Sequence, residues 1–270
     1  MDQIFQEKTT DCTPFFSIIT VVWNNLTGLK LTKESLYEQV CPDWEWVIVD
    51  GASTDGTHEF ALACAGDRVR VISECDRGIY DAMNKGLLLA KGKYVIFLNS
   101  GDLLATKASL ELACNACAGE GPDVLFGSSI MDYGVMRLSR PVKPTSYIWH
   151  GQPGLHQATA FRREKHVQFP YDLSFSVCGD YDVLTRMAAA GLSMRSVPIL
   201  LSINEFNAAA TSGRKKRMLI SEAARAQRKN LRLSYPRIGI SILRRVAVSI
   251  VSKIIASADL LKNKAVRDSA

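Results

Sequence analysis

The sequence predicts an α/β fold built on a parallel, doubly wound sheet. Three strand-like runs alternate with helical segments, and each run finishes in a cluster of small and acidic residues. The third run is apolar throughout, as expected of a strand covered on both faces. Ligands of open α/β sheets sit beyond the carboxyl ends of the strands, so the residues closing each run are the first candidates for chemistry.

The first run, Phe16 to Val22, is rich in β-branched residues and ends in Trp23, Asn24 and Asn25. The second, Trp46 to Val49, ends in Asp50, Gly51, Ala52, Ser53, Thr54, Asp55, Gly56 and Thr57. A carboxylate at a strand end can accept hydrogen bonds from a ribose or a base edge. The same stretch also suits a helix start, with Ser53 or Asp55 capping and Glu59 within reach. Between Glu74 and Asp102 the chain reads as loop, amphipathic helix, turn at Gly92 and strand. Ala82, Met83, Leu87, Leu88 and Ala90 are spaced to share one helical face. Tyr94 to Leu98 forms the strand, followed by Asn99, Ser100, Gly101 and Asp102. Asp102 is placed to hold a divalent cation, which prefers oxygen ligands; the plainer reading of Asn-Ser-Gly-Asp is a turn. Neither GxGxxG nor GxxxxGK[ST] is present, which disfavours a dinucleotide fold or a P-loop.

In the second half, Gly179, Asp180, Tyr181 and Asp182 open a helix that buries Val183, Leu184 and Met187 and ends at Gly191. Two carboxylates in a first turn suit the positive end of the helix dipole. Trp149 and His150 form either a ligand-stacking platform or ordinary packing.

These segments, FSIITVVWNN, WVIVDGASTDGT and GIYDAMNKG…AKGKYVIFLNSGD, resemble in order the nucleotide-binding half of a family 2 glycosyltransferase of GT-A fold. The wording SE-x-D-x-GIYDAMNKG…FLNSGD is similar to the branch that contains colanic-acid-type exopolysaccharide transferases. The resemblance covers roughly residues 15–205. It implies a Rossmann-like, mainly parallel sheet, with a tail at 1–14 and a glycosyltransferase domain at 15–213. That domain divides into a nucleotide-sugar half at 15–105 and an acceptor half at 106–213. Thr20, Val22 and Asn24 are implied to contact the nucleotide and Asp50 its base. Asp76 and Asn84 fall in the segment closing over the nucleotide, and Asn99 joins the nucleotide set. The acidic pair that holds metal and diphosphate falls on 99–102, with Asn99 and Gly101 standing where aspartates often appear. Asp102 therefore remains as the carboxylate for Mg or Mn. By the same resemblance Asp180 is the catalytic base, Gly179 stands where Glu is usual, and Asp182 supports the fold. His156 and Gln157 are implied to line the acceptor or diphosphate side, with Arg162 or Arg163 neutralising phosphate. The donor is expected to be a UDP-sugar in preference to a GDP-sugar, and the acceptor a lipid-linked saccharide.

With 270 residues, 47% hydrophobic and 22% charged, the chain is globular. Seven scattered cysteines argue for reduced thiols and a cytoplasmic setting. Cys114 and Cys117 lack a partner pair for zinc. Neither a signal peptide nor a run of about 18 apolar residues is seen. Charge is uneven. From Arg214 onward there are 15 Lys/Arg against 3 Asp/Glu, and before it 18 against 24. Residues 214–270 thus form a basic helical extension, with one helix from Lys215 to Leu231 and a second after Pro236. In the second, Leu243, Val246, Ile250, Ile254, Ala258 and Leu261 share one face, while Ser241, Arg245, Ser249, Ser252 and Lys253 share the other. Such a helix can lie on an anionic membrane, which would place the protein on the inner face of the cytoplasmic membrane; the alternatives are a helix docked on the domain with its basic face in solvent, or a helix joining subunits. Without interleaved aromatics or a recognised motif, nucleic acid is not an expected partner. A catalytically impaired scaffold of the same fold is the alternative to an enzyme, prompted by the reduced acidic motif.

Overall fold

A computed structural model describes residues 13–134, 136–205 and 213–247. The elements run β1 (Phe16–Val22), α1 (Leu26–Tyr37), β2 (Trp44–Asp50), α2 (Thr57–Cys64), β3 (Val69–Ser73), α3 (Ile79–Leu89), β4 (Tyr94–Phe97), β5 (Leu103–Leu104) and α4 (Ser109–Ala116). They continue with β6 (Val124–Asp132), β7 (Arg137–Arg140), β8 (Thr159–Arg162), α5 (Arg163–His166), α6 (Gly179–Ala189), β9 (Met194–Glu205) and α7 (Gly213–Leu231). A last helix, α8, spans 235–247, with Pro236 in its first turn, where its missing N–H costs nothing.

One sheet of order β3-β2-β1-β4-β8-β6-β9-β5 runs through the molecule, with β7 beside β6. The strands β3, β2, β1 and β4 are parallel, as expected of the first half. Beyond β4 the pairing is mixed: β8 is antiparallel to β4 and β6, whereas β6 and β9 are parallel. Strand alternation sends side chains to two cores. Ile19, Val21, Val47 and Val49 meet α3 and α6 on one face. Ile18, Ile48, Leu29 and Leu110 pack on the other with α1 and α4. All of β1, β2 and β4 is buried, their last residues included.

Helix α3 buries Ala82, Met83 and Leu87, while Leu88 is 78% exposed, against the sequence expectation. At about 100° per residue, Leu88 lies a quarter-turn beyond Leu87 and outside the stripe that faces β1. Helix α8 docks, but not with its basic face in solvent as the docked alternative had it. Its polar face docks: Ser241 is fully buried against His150 Nδ1 (3.0 Å) and Gln227 Nε2 (2.8 Å). Arg245 donates to the carbonyl of His150. The apolar face points outward, with Ile240 51%, Leu243 69% and Val246 38% exposed. Ser249, Ile250, Ser252, Lys253, Ile254, Ala258 and Leu261 lie outside the described residues.

Candidate active site

A cavity of about 580 Å³ opens at the carboxyl ends of β1, β2 and β4. Val22, Trp23, Gly51, Asp76, Ile79 and Asn99 are among the residues that line it. Trp23 is 70% exposed at the cavity, leaving its ring free to stack on a ligand. Trp23 lies within the stretch Thr20 to Asn24 that the family resemblance assigns to the nucleotide. Asn24 adopts φ +47° and ties the two loops below the cavity together. Its N–H donates to Ser53 Oγ (2.8 Å), and its Oδ1 accepts from the Thr54 N–H (2.8 Å). Asp76 is held by Lys85 Nζ at 2.6 Å, which also pairs with Glu74 at 2.8 Å.

Several expected ligand contacts are spent inside the fold instead. Thr20 is buried, donating to the Leu98 carbonyl (2.7 Å) and accepting from Trp46 Nε1 (2.8 Å), so its hydroxyl stitches the sheet. Asp50 is also fully buried. Its carboxylate accepts from Ser53 N–H (3.2 Å) and Ser73 Oγ (2.5 Å), organising the loop beneath Gly51. Asn84 brackets the backbone of Tyr171 and does not face the cavity. His156 packs on Phe97, with ring centroids 5.0 Å apart, and its Nε2 meets Tyr171 Oη at 3.1 Å. Burial lowers its pKa to about 4, so it is a neutral core histidine. Arg162 pairs in register with Tyr94, at the opposite end of β4 from Asn99, and bonds Asp123 at 3.3 Å. An antiparallel strand necessarily carries that residue away from the ligand edge. His150 and Trp149 likewise contact the C-terminal helices, through Ser241 and Gln227.

The turn 99–102 is pinned from α1. Thr32 Oγ1 accepts from the Gly101 N–H (3.0 Å) and donates to the Asp102 carbonyl (2.9 Å). Asp102 is 6% exposed, and burial raises its pKa to about 7. Hydrogen bonds from Gln157 Nε2 (3.1 Å) and Asn204 Nδ2 (3.3 Å) work in the opposite direction but do not prevail. Gln157 therefore bonds Asp102, whereas its neighbour His156 packs in the core. Gly101 adopts φ +98°, and a Cβ there would stand 3.0 Å from Glu205 Oε2. Glu205 thus lies beside this turn, brought from the end of β9 by a pairing that sequence spacing does not reveal.

A divalent cation fits this donor set in part. Asn99 Oδ1 is buried with no hydrogen-bond partner among the described residues, an oxygen left open toward a ligand. Asp102 and Glu205 add carboxylate oxygens nearby, the donor type hard cations take. Among the described residues no group of three or more His, Cys, Asp or Glu could hold a metal, so diphosphate and water oxygens would complete the shell.

Asp180 stands in the first turn of α6. Its carboxylate accepts from Gln152 Nε2 (2.6 Å) and the Tyr181 N–H (2.8 Å), while burial raises its pKa. Gln152 was not foreseen; nothing in its sequence context marks it. Gly179 explains the departure from Glu-Asp: a Cβ there would sit 2.7–2.9 Å from the ring of Tyr80. Tyr80 follows Ile79, a cavity residue, and stacks on Tyr171 at 5.4 Å. Asp182 faces away, fully buried against Arg186 Nε (2.8 Å) and Asn230 Nδ2 (2.9 Å).

The model of the family described as "Glycosyl transferase family 2" matches residues 17–179. A PGL/p-HBAD biosynthesis glycosyltransferase of Mycobacterium bovis is 32% identical over 210 residues, which span 72% of this chain and 78% of that relative. The fold is similar to that of Staphylococcus aureus TarS residues 1–349 in complex with UDP-GlcNAc. There the TM-score is 0.65 at 16% identity, over 86% of this chain and 71% of that one. It is also similar to the mannosyltransferase PcManGT of Pyrobaculum calidifontis, in complex with GDP-Man and Mn²⁺. In that case the TM-score is 0.61 at 17% identity, over 92% and 80%. The GT-A fold expected from the sequence is therefore present, whereas the colanic-acid branch is corrected, since the mycobacterial relative belongs to PGL/p-HBAD biosynthesis. By the extent of the family match and of the mycobacterial similarity, the chain belongs to glycosyltransferase family 2.

Proposed function

We propose that the chain transfers a sugar, with inversion, from a nucleotide-sugar donor to a lipid-linked saccharide hydroxyl in bacterial glycoconjugate biosynthesis. The observation that carries this reading is a line of contacts that runs from the cavity to the helix start bearing Asp180. The cavity at the strand ends holds Asn99 and Ile79, and Tyr80, the next residue along, packs on the helix start that bears Asp180. Trp23 and Val22 offer an apolar face to a base, and Asp76 guards the rim. Asp102, Asn99 and Glu205 would hold Mg or Mn. Such a cation, when bound, neutralises charge on the diphosphate leaving group.

Asp180 takes the proton from the attacking hydroxyl. Its raised pKa makes the carboxylate a better proton acceptor while leaving it ionised above that pKa. Gln152 fixes one carboxylate oxygen, so the base has a set orientation. General-base assistance of this kind contributes roughly 10²- to 10⁴-fold. The likeness to a UDP-GlcNAc complex and to a GDP-Man–Mn²⁺ complex supports a nucleotide-sugar donor and a divalent cation; UDP is the favoured nucleotide. No helix among the described residues is long and apolar enough to cross a membrane. The outward apolar face of α8 supports peripheral attachment to the inner face of the cytoplasmic membrane, where a lipid-linked acceptor would be met.

A titration of UDP and of GDP, with and without Mn²⁺, tests the reading on wild type and Asp102→Ala. The expected result is metal-dependent binding of one nucleotide, lost in the variant. Absence of nucleotide binding under all conditions would overturn the reading in favour of a catalytically silent scaffold.

A further inference from the structure

The family match ends at Gly179, one residue before Asp180. What holds the base from behind comes from α7, in the basic extension. That extension has three acidic residues, Glu222, Asp259 and Asp268. Glu222 accepts three hydrogen bonds from consecutive backbone N–H groups at the threshold of α6. Its Oε1 takes Ser176 N–H (2.9 Å), and its Oε2 takes Val177 and Cys178 N–H (both 2.9 Å). Cys178 is the N-cap of α6, but its side chain makes no capping bond within that helix. A carboxylate with both oxygens engaged this way fixes the position and tilt of the segment that ends in Asp180.

The same helix grips α6 twice more. Gln227 Nε2 reaches Tyr181 Oη at 3.3 Å, and Asn230 Nδ2 bonds Asp182 Oδ1 at 2.9 Å and Thr185 Oγ1 at 2.8 Å. Those contacts explain packing. Glu222 differs because it acts on the three residues leading into the base and carries charge toward it. The titratable or charged groups around Asp180 are Tyr80 from α3, Tyr171, Cys178 and Glu222. Arg245 of α8 acts on Cys178 and Tyr181.

The geometry points to Glu222 as a positioning residue for catalysis, a carboxylate from the C-terminal extension that sets the placement of Asp180. The inference rests on the reading of Asp180 as the base. It gives the extension a place in the chemistry as well as in any membrane contact.

Two substitutions separate positioning from mere packing. Glu222→Gln removes the charge and one strong acceptor; Glu222→Asp keeps the charge and shortens the reach. Both should bind UDP within twofold of wild type and lower kcat, by on the order of ten- to a hundred-fold if the base is misplaced. In Glu222→Gln the acid limb of the kcat/KM profile should move to lower pH, because a like charge near Asp180 is gone. In Glu222→Asp that limb should stay at its wild-type position. Unchanged kcat in both variants, or an unmoved limb in Glu222→Gln, would overturn the inference. Loss of the fold in both would assign Glu222 to structure alone and overturn it equally. Asp180→Asn serves as the separate control: if that variant still turns over, the base reading fails, whatever Glu222 does.

Discussion

Asn84 holds Tyr171 by its backbone from both sides: its Nδ2 donates to the Tyr171 carbonyl at 3.0 Å, and its Oδ1 accepts the Tyr171 N–H at 2.8 Å. One turn earlier on α3, Tyr80 stacks on the same residue's ring. A side-chain amide carries a donor and an acceptor side by side, so it can satisfy both backbone groups of a single residue. Asn84→Ala leaves both backbone groups without a partner and should cost about 2 kcal/mol of stability. Nucleotide affinity should stay within twofold. A tenfold loss of nucleotide affinity at unchanged Tm would return Asn84 to the donor site.

Asp102 should make the metal-free protein less stable as pH rises. Its folded pKa, about 7, exceeds its ordinary value of 3.8, so the folded state binds the proton more tightly than the unfolded chain. The resulting stability is fully present below about pH 4 and is lost as pH rises through about 7. Measured as wild type minus Asp102→Asn without metal, Tm should therefore fall across that window. At pH 8 the Asn variant should be the more stable protein. Adding Mn²⁺ should raise the wild-type Tm at pH 8 and leave the variant unmoved. A metal response that survives in Asp102→Asn would place the cation elsewhere.

The two carboxylates of the first α6 turn should separate cleanly. Asp180→Asn keeps a group able to accept from the Tyr181 N–H and should preserve Tm and nucleotide binding while reducing turnover by roughly 10²- to 10⁴-fold. Asp182→Ala strips the partner from Arg186 and from Asn230, and breaking a buried pair of this kind costs about 3 kcal/mol or more. Its Tm should fall, and any activity lost should follow the folded fraction. The reverse pattern would exchange the two roles.

The parallel half of the fold was legible because its signals are local. Apolar runs such as Tyr94–Phe97, and the acidic and small residues behind them, name the strand ends directly. Val22, Asp76 and Asn99 line the cavity, whereas Gln157, singled out only by the family resemblance, bonds Asp102. Thr20 and Asp50 illustrate the limit. Both sit at the expected strand ends, yet each hydroxyl or carboxylate is used by a neighbouring loop or strand. Position along a strand does not say whether a polar group is already satisfied. Arg162 was misplaced because the antiparallel return of β8 inverts the end of the sheet its residues reach. Glu205, Gln152 and Glu222 arrive through contacts spanning 28 residues or more, or from strands paired far apart in sequence, and no local pattern marks them.

Helix α8 turns its apolar side to solvent because Ser241 and Arg245 are engaged by His150 and Gln227 on the domain. Arg237 and Arg244, both exposed, border that side with positive charge. An anionic bilayer suits this pairing of chemistries, with Ile240, Leu243 and Val246 entering the headgroup boundary. Wild type should sediment with phosphatidylglycerol vesicles, less so as salt rises. Replacing Ile240 and Leu243 together by Asp should weaken that association more than tenfold, since each buried aliphatic side chain is worth about 2 kcal/mol. Tm should hardly move, because both side chains already face water in the free protein. Vesicle binding unaffected by the double substitution would remove α8 from the membrane contact. A wild-type protein that ignores vesicles and instead dimerises through this face would assign the stripe to a second copy of the chain.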